Sequence, residues 1–348
     1  MRKRGVAQTA TLDDIARRAR VAVSTVSRAL NPRTQGRISA ATRERVERWA
    51  ERLGYQPNRS ARALSRGGSD TIAVVVPVSA HFAVSEYYAR VILGAASAFA
   101  EHGLDVKLHL LRRGEAREGF VRIARRLGVD GLLIAGVAMR DRFGEEREAP
   151  RIPVVMINSY EDARVTTVDA DNVAGGALAA EYLLGRGHRR LGMLAGPEDS
   201  YDALHRLLGF ARRLREARVK LPNKWCVHSM FGEEEGAEAM RRILRQGEWP
   251  TAVFCANDEL ALGALRALRE AKVRCPEDVS LIGFDNFAAS EHAEPPLTTI
   301  AQPIDRIVTT AVELLVGQLR GRQEVLRVLL PVELIERGSV RRVEQGET

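Results

Sequence analysis

The first 57 residues carry apolar positions at the spacing of short helices. Between Leu12 and Ala19 the apolar residues share one helix face, and Thr11 followed by Asp14 is typical of a capping box. Gly54 marks the end of the last helix. Two short helices joined by a tight turn and followed by a third are the pattern of a helix-turn-helix unit. The predicted helices span residues 12–19, 24–30 and 40–53.

From residue 71 the pattern changes to short apolar runs that alternate with amphipathic helices. Apolar runs rich in Val, Ile and Leu are typical of parallel strands that are buried on both faces. The alternation predicts an α/β fold, and there are too many units for one open sheet, so we expect two doubly wound parallel-sheet subdomains behind an all-α head. The predicted strands are 72–76, 106–111, 131–135, 154–157, 191–195, 225–230, 252–256 and 279–284, and the predicted helices are 86–101, 115–127, 173–185, 202–217, 234–245 and 259–271.

Positive charge is concentrated in the head. Residues 1–66 contain 16 Lys or Arg against 5 Asp or Glu, whereas the rest of the 348-residue chain contains 37 against 40. A small basic domain on a nearly neutral body is typical of a protein that binds a polyanion, and duplex DNA suits a helix-turn-helix. The alternative is a solvated basic face without a partner.

Several other classes of protein fit the sequence poorly. Residues 1–4 are basic but no apolar stretch follows, so we expect no signal peptide, no membrane span and a cytoplasmic location. Cys226, Cys255 and Cys275 lack the spacing of metal ligands, and we find no phosphate-binding glycine loop or nucleophile elbow. We therefore expect neither a cofactor nor an enzyme. A periplasmic binding protein would lack the basic head, and an architectural DNA binder without sequence preference is a further alternative.

Three segments of the head match one known family. Residues 11–16 (TLDDIA), 24–31 (STVSRALN) and 54–58 (GYQPN) closely resemble the head of the lactose-repressor (LacI/GalR-type) family. The resemblance extends from about residue 11 to residue 340. Weaker motifs that continue it in the core are 187–190 (GHRR), 256–258 (AND), 282–285 (IGFD) and 296–300 (PLTTI).

The resemblance implies a head, a hinge and a core like a periplasmic sugar-binding protein. The head would span residues 1–57, the hinge helix and linker 58–69, and the effector-binding and dimerisation core 70–348. Three crossings, near Val168, Thr299 and Leu330, would divide the core. The N-subdomain would comprise about 70–167 and 299–328, and the C-subdomain about 168–298 and 329–340.

The resemblance also implies a sequence-specific DNA-binding transcriptional regulator. The expected function is repression of carbohydrate-utilisation genes, with release from a palindromic operator by a sugar inducer that changes the angle between the subdomains. The alternative is the same architecture with a purine or another metabolite as corepressor. Its expected partners are double-stranded operator DNA, a small-molecule effector and a second copy of the chain. A homodimer is favoured over a tetramer because no heptad pattern follows Ser339.

By the same resemblance, the second helix enters a major groove, where every base pair has a distinct pattern of donors and acceptors. Val23 and Ser24 take the base-reading positions, and Arg28 reaches toward the bases. In the hinge, Leu64 would wedge into the minor groove with the small Ala61 facing it. The alternative for Arg28 is a surface arginine without a DNA contact, and the alternative for Leu64 is an ordinary apolar contact under the hinge. Further expected DNA contacts are Thr11, Leu12, Thr25, Ser27, Asn31, Ser39, Tyr55 and Asn58.

Three features depart from the family pattern. Arg20 stands in the turn where the family usually has glycine, so a left-handed backbone is expected there. Ala22 replaces the usual serine and removes a hydroxyl that could cap the helix. The segment 32–37 is longer than usual.

Polar residues of the core are expected to bind the effector. Arg206 matches the arginine that grips the effector in many members of the family. Asn257 and Asp285 follow or end apolar strands, and doubly wound sheets bind ligands beyond the carboxyl ends of their strands. Together these side chains supply donors and acceptors for sugar hydroxyls. The alternative for Arg206 and Asp285 is a structural salt bridge.

Aromatic residues complete the expected effector site. Phe231 is in the position of a platform for an apolar sugar face. Tyr87 and Tyr88 lie at the first strand-to-helix loop, where the family often has a pair of aromatic residues. The alternative for each ring is core packing. Asp171 is a further candidate, although a residue directly before a helix can also serve as its cap.

Overall fold

The structure is a computed structural model, and contacts divide the chain into two units, Met1–Ser69 and Asp70–Thr348. It describes residues 10–30, 38–55, 68–78, 85–112, 114–136, 138–139, 152–158 and 164–343. Four of the predicted DNA contacts lie outside these residues, namely Asn31, Asn58, Ala61 and Leu64. Most of the predicted hinge over 58–69 lies outside them as well.

The first unit contains the three predicted helices, α1 (Leu12–Ala19), α2 (Val23–Ala29) and α3 (Ala40–Arg52). The backbone N–H of Asp14 donates to Thr11 Oγ1, and the Asp14 carboxylate accepts from the Thr11 N–H, which completes the predicted capping box. These two bonds satisfy N–H groups that the start of a helix leaves without partners. Arg20 ends α1 with φ 53° and ψ 49°, the left-handed conformation expected from its place in the turn.

One small core holds the three helices together. Ile15 of α1, Val26 of α2 and Val46 of α3 are each fully buried and belong to a single cluster. Each helix thus contributes a branched side chain to the shared centre, so truncating any of them would cost about 1–5 kcal/mol. Trp49 packs at the edge of the cluster, with the Arg52 guanidinium 5.4 Å from its ring centroid. This contact covers the indole ring with a cation on the solvent side.

The second unit contains two β-sheets whose strands are mainly parallel. Its strands are β1 (Thr71–Pro77), β2 (Asp105–Leu111), β3 (Gly131–Ala135), β4 (Val154–Ile157), β5 (Thr166–Ala170), β6 (Leu191–Gly196), β7 (Cys226–His228), β8 (Ala252–Cys255), β9 (Ser280–Asp285), β10 (Thr298–Ala301), β11 (Arg327–Leu330) and β12 (Glu333–Ile335). Its helices are α4 (Glu86–Glu101), α5 (Phe120–Leu127), α6 (Asn172–Gly185), α7 (Tyr201–Glu216), α8 (Glu233–Leu244), α9 (Asp258–Glu270), α10 (Ala288–Glu291) and α11 (Ile304–Leu319).

Each sheet has six strands within the described residues. The first sheet has the order β11-β5-β4-β3-β1-β2, with every pair parallel. The second has the order β12-β10-β9-β8-β6-β7 and is parallel except for β12, which runs antiparallel to β10. Two doubly wound sheets are therefore present, as the alternation of strands and helices predicts.

The pairing of the strands locates the three crossings of the chain between the sheets. Val168 lies inside β5, which pairs in the first sheet, and Thr299 lies inside β10, which pairs in the second. A strand that is paired along its length cannot change sheets midway, so the first crossing follows Ala170 and the second follows Ala301. The third follows Leu330, because β11 belongs to the first sheet and β12 to the second.

Some elements differ from the prediction. The helix predicted over 115–127 is divided into a 3-10 turn (Glu115–Glu118) and α5, with Gly119 at φ 79° between them. The strand predicted over 225–230 is only β7, because a 3-10 turn (Asn223–Trp225) precedes it. Strands β5, β10, β11 and β12 and helices α10 and α11 were not predicted. Among the described residues, no helix combines the length and apolar character needed to span a bilayer.

Candidate functional site

Helix α2 presents four of the predicted DNA-contact residues on one side. Val23, Ser24, Ser27 and Arg28 are exposed, whereas Val26 faces the buried core. Residues four apart are neighbours on a helix surface, so these four side chains form one continuous face. The Arg28 Nε donates to the Ser24 carbonyl oxygen at 3.3 Å, which holds its stem along the helix. This face has the form of a recognition surface.

The other described DNA-contact candidates also have roles within the head. The Thr11 hydroxyl belongs to the capping box, and Leu12 and Tyr55 pack against the small core. Ser39 precedes α3 but makes no side-chain bond to its backbone; its hydroxyl donates to Thr42 Oγ1 at 2.9 Å. Thr25 is half-buried. DNA contact by these residues stays a prediction.

In the core unit, a cleft of about 200 Å³ opens where the carboxyl ends of strands from both sheets meet. Asn257 comes just beyond β8, and Asp285 is the last residue of β9. This is the place where doubly wound sheets bind ligands. The structure brings six of the seven predicted effector residues together in its lining: Tyr87, Tyr88, Arg206, Phe231, Asn257 and Asp285.

Asp171 is the exception, because the structure does not place it in the lining of the cleft. Its carboxylate accepts from the backbone N–H of Ala174 at 2.9 Å and so caps α6. The cap is the alternative that the sequence left open. The carboxylate is bound to the start of α6, and Asp171 is not part of the cleft lining.

Arg206 is fixed deep in the cleft. It is 3% exposed, its Nε donates to Asn172 Oδ1 at 2.7 Å, and its Nη1 donates to the Ala256 carbonyl oxygen at 2.5 Å. The guanidinium carbon lies 3.7 Å from the centroid of the Phe284 ring, a close cation–π contact. The Arg206 Nη1 also lies 3.6 Å from Asp285 Oδ1. The guanidinium is thus held by its surroundings before any ligand arrives.

Asp285 and Gln302 form a second polar group. Gln302 Nε2 donates to Asp285 Oδ1 at 2.5 Å, and both side chains are buried. Burial raises the pKa of Asp285 well above its ordinary value, and the Arg206 charge opposes that rise. Gln302 Oε1 is buried and accepts no hydrogen bond from any residue that the structure describes. A buried acceptor of this kind is costly unless a donor reaches it, and a ligand hydroxyl would supply one.

A chain of hydrogen bonds crosses the cleft between the two sheets. The Tyr87 hydroxyl donates to Asn158 Oδ1 at 2.8 Å, and Asn158 Nδ2 donates to Asp202 Oδ2. The other oxygen of Asp202 accepts from Asn172 Nδ2 at 2.8 Å. Because Asn158 follows β4 of the first sheet and Asp202 belongs to α7, the chain links both halves of the core unit. Burial raises the pKa of Tyr87 well above its ordinary value, and Asp202 adds to the effect, so Tyr87 stays a donor.

Two further bonds join the halves of the core. The Met139 N–H donates to the Asp199 carbonyl oxygen at 2.8 Å. The Ala288 N–H donates to Glu86 Oε2 at 3.2 Å. The structure therefore has the halves in direct contact around the cleft.

Aromatic rings form another part of the lining. Tyr87 and Tyr88 meet edge to face, with ring centroids 5.3 Å apart. Phe231 packs over Gly196, where a Cβ would lie 2.7 Å from a ring carbon. Gly196 also has φ 75°, so both its conformation and its size suit glycine. The cleft thus combines polar anchors with aromatic surfaces.

Asn257 contributes to the site mainly through the structure it holds. Its Oδ1 accepts from the Leu260 N–H at 2.9 Å as the cap of α9, and its Nδ2 donates to Glu259 Oε2 at 3.1 Å. The next residue, Asp258, is fully buried and accepts from the Ser290 and Thr299 hydroxyls, each at 2.6 Å. Burial raises the pKa of Asp258 to about 6 despite these bonds.

Asn158, Asp202 and Gln302 are among the lining residues that the sequence prediction does not contain. Asn158 directly follows β4, and the strand-end rule that selected Asn257 and Asp285 would have found it. Gln302 follows β10, which the apolar pattern did not reveal. Among the described residues, no group of three His, Cys, Asp or Glu side chains is arranged to hold a metal ion.

Each of the two units matches a known protein-family model. Residues 11–58 match the model for "Bacterial regulatory proteins, lacI family", and residues 180–340 match "Periplasmic binding protein-like domain". The HTH-type transcriptional repressor CytR of Escherichia coli strain K12 is 35% identical over 336 residues, which cover 95% of this chain and 96% of CytR.

Solved structures share the whole architecture. The Lac repressor dimer bound to operator and the anti-inducer ONPF has a TM-score of 0.85 at 28% identity, covering 96% of this chain and 100% of that chain. A complex of the transcriptional regulator CelR with cellobiose has a TM-score of 0.70 at 33% identity, covering 95% and 99%. These relatives are transcriptional regulators and not enzymes. The chain belongs to the lacI family of bacterial regulatory proteins, and it is a DNA-binding transcriptional regulator with a periplasmic-binding-protein-like core.

Proposed function

We propose that this chain is a homodimeric repressor of carbohydrate-utilisation genes that a neutral sugar releases from an inverted-repeat operator. The observation that carries the proposal is the cleft, in which Arg206, Asp285 and Gln302 line a common space beside Tyr87 and Phe231. Hydroxyl groups can both donate and accept, so a sugar matches this mixed set. Its apolar ring face can pack on an aromatic side chain.

The charges in the cleft favour a neutral ligand over a phosphorylated one. Two arginines, Arg112 and Arg206, stand in the described lining. Four carboxyl side chains accompany them, namely Asp199, Asp202, Glu259 and Asp285. A sugar phosphate would bring more negative charge into a site where carboxyl groups already outnumber cations, which is unfavourable at close range.

The operator part of the proposal is supported by the exposed face of α2 and by the basic head. The Lac repressor relative binds its operator as a dimer, and two copies of this chain would present two α2 helices to half-sites about one helical turn apart. Because the proposed target is genomic DNA, the protein would act in the cytoplasm. The proposal includes no chemical step.

The alternative is a purine or another metabolite that acts as a corepressor. The paired rings of Tyr87 and Tyr88, with Phe231, also suit a planar heterocycle. The sign of the response separates the alternatives, because an inducer weakens operator binding whereas a corepressor strengthens it.

The proposal is tested by selecting DNA from a random duplex library with the full chain, followed by a thermal-shift screen of sugars and nucleobases. We expect an inverted repeat, and at least one neutral sugar that raises the melting temperature and weakens binding to that repeat. A library without an enriched inverted repeat would contradict the operator part. Hits restricted to nucleobases that strengthen DNA binding would support the alternative instead.

A further inference from the structure

Helices α6 and α7 touch backbone to backbone beside Arg206. A Cβ at Gly176 of α6 would lie 2.0 Å from the Arg206 carbonyl oxygen, and one at Gly209 of α7 would lie 2.0 Å from the Val173 carbonyl oxygen. No side chain fits at such distances, so the two glycines set the spacing of the helices. The spacing brings Asn172, in the first turn of α6, within reach of the Arg206 side chain.

The Asn172 amide uses both of its ends. Its Oδ1 accepts from Arg206 Nε at 2.7 Å, and its Nδ2 donates to Asp202 Oδ1 at 2.8 Å. A guanidinium only donates and an ionised carboxylate only accepts, so these two partners fix the orientation of the amide. Asn172 is 1% exposed, so no water can replace either bond without rearrangement.

The contacts of Arg206 with Asn172 and Ala256 define the plane of its guanidinium. One bond is made at Nε and the other at Nη1, and a rigid planar group held at two nitrogens cannot rotate about its stem. The Phe284 ring lies against one face of this plane. The remaining donors of Arg206, which belongs to the cleft lining, therefore have a fixed direction.

We propose that Asn172 is a positioning residue, which orients the Arg206 guanidinium for the ligand and joins it to Asp202. Asp202 in turn accepts from Asn158, so the orientation of Arg206 is linked to the bond that crosses the cleft. The proposal rests on the proposed function in one respect, namely that Arg206 binds the ligand.

The first test needs no ligand. In a ¹H–¹⁵N TROSY spectrum of the full chain, the Nε–H of Arg206, assigned by its absence in Arg206→Lys, should exchange slowly with water because it is buried and bonded. In Asn172→Ala this resonance should be lost or broadened, because Arg206 Nε then lacks the acceptor that holds it. The exposed Asn223 provides a control, since Asn223→Ala should leave the resonance unchanged.

The second test uses cellobiose, the sugar bound by the CelR relative, as a probe in isothermal titration. Asn172→Ala should weaken binding about tenfold, the effect of one hydrogen bond to a charged group. In an Arg206→Lys background, which lacks the Nε donor, the same substitution should change affinity less than twofold. Such non-additivity indicates that Asn172 acts through Arg206.

The two tests separate this proposal from the function on which it rests. If the wild type does not bind cellobiose but Asn172→Ala still loses the Arg206 resonance, cellobiose is excluded as the effector and the positioning role is supported. An unchanged Arg206 resonance in a folded Asn172→Ala protein would overturn the positioning role. So would an equal loss of cellobiose affinity in both backgrounds.

Discussion

Asn158, which follows the last residue of β4, donates a hydrogen bond across the cleft to the Asp202 carboxylate on α7. Both side chains are buried, and they come from opposite halves of the core unit. The backbone of Asn158 has φ 63°, a left-handed conformation that asparagine tolerates better than most residues. This pair therefore connects the two halves at the position where a ligand would bind.

The Asn158–Asp202 pair should show a measurable coupling energy. We expect a double-mutant cycle with Asn158→Ala and Asp202→Ala to give about 1–3 kcal/mol in urea unfolding of the core, because one partner is charged and the bond is buried. As a control, the exposed pair Arg212 and Glu216, whose charged atoms are 3.9 Å apart, should give less than about 0.5 kcal/mol. A coupling near zero for Asn158 and Asp202 would mean that the bond does not hold the halves together.

Arg28→Ala should reduce discrimination between DNA sequences. If Arg28 makes a bidentate contact with guanine, its loss should cost about 1–3 kcal/mol on the selected operator and little on random duplex. Arg45→Ala, at an exposed position of α3, is the control. If Arg45 contacts only phosphate, its loss should lower the affinity for both DNAs equally. Fluorescence anisotropy at fixed salt measures both affinities. Equal losses on the two DNAs for Arg28→Ala would exclude base reading by this residue.

Arg206→Ala should separate sensing from DNA binding. The substitution removes the guanidinium from the cleft, so the effector concentration that gives a half-maximal response should rise at least tenfold. Operator affinity without effector should stay within about threefold, because the head is a separate unit. Arg212→Ala on the same helix is the matched control, since Arg212 is exposed. A normal effector response in Arg206→Ala would show that the effector binds elsewhere.

Asp258 should make the core less stable as pH rises from about 4 to 6. Burial raises its folded pKa to about 6 from the model-peptide value of 3.8, so the folded state binds the extra proton. Its contribution is therefore fully present below pH 3.8 and is lost as pH rises through 6, a change of roughly 3 kcal/mol. In Asp258→Asn, which has no such proton, this component should be missing. We would measure the difference between the two unfolding free energies from pH 4 to pH 7. A difference that does not change with pH would refute the raised pKa.

The apolar pattern readily identifies strands whose side chains are apolar on both faces. Strand β1 is an example, since Ile72 to Val76 are all fully buried. The apolar pattern does not predict strand β5, because Thr166, Thr167 and Asp169 are polar yet buried. Polar residues do not indicate a buried strand. Helix α11 has apolar residues at helical spacing along its length and could have been found by the same reasoning.

The cleft residues divide in a similar way. Asn257 and Asp285 were identified because they follow or end recognisable strands, whereas Gln302 follows β10, whose sequence contains two threonines. Asp202 could not be found by this rule, since it belongs to the first turn of a helix and reaches the cleft only through the packing of α6 on α7. Its position depends on contacts between residues distant in the sequence.

We expect a ligand in the core cleft to control the affinity of the head for DNA. The most direct measurement is operator affinity with and without the saturating sugar from the screen, together with sugar affinity with and without operator. Because linkage is reciprocal, both affinities should change by the same factor, about 5–150-fold, and each ligand should weaken binding of the other. An operator affinity that does not change when the sugar saturates the cleft would contradict the claim.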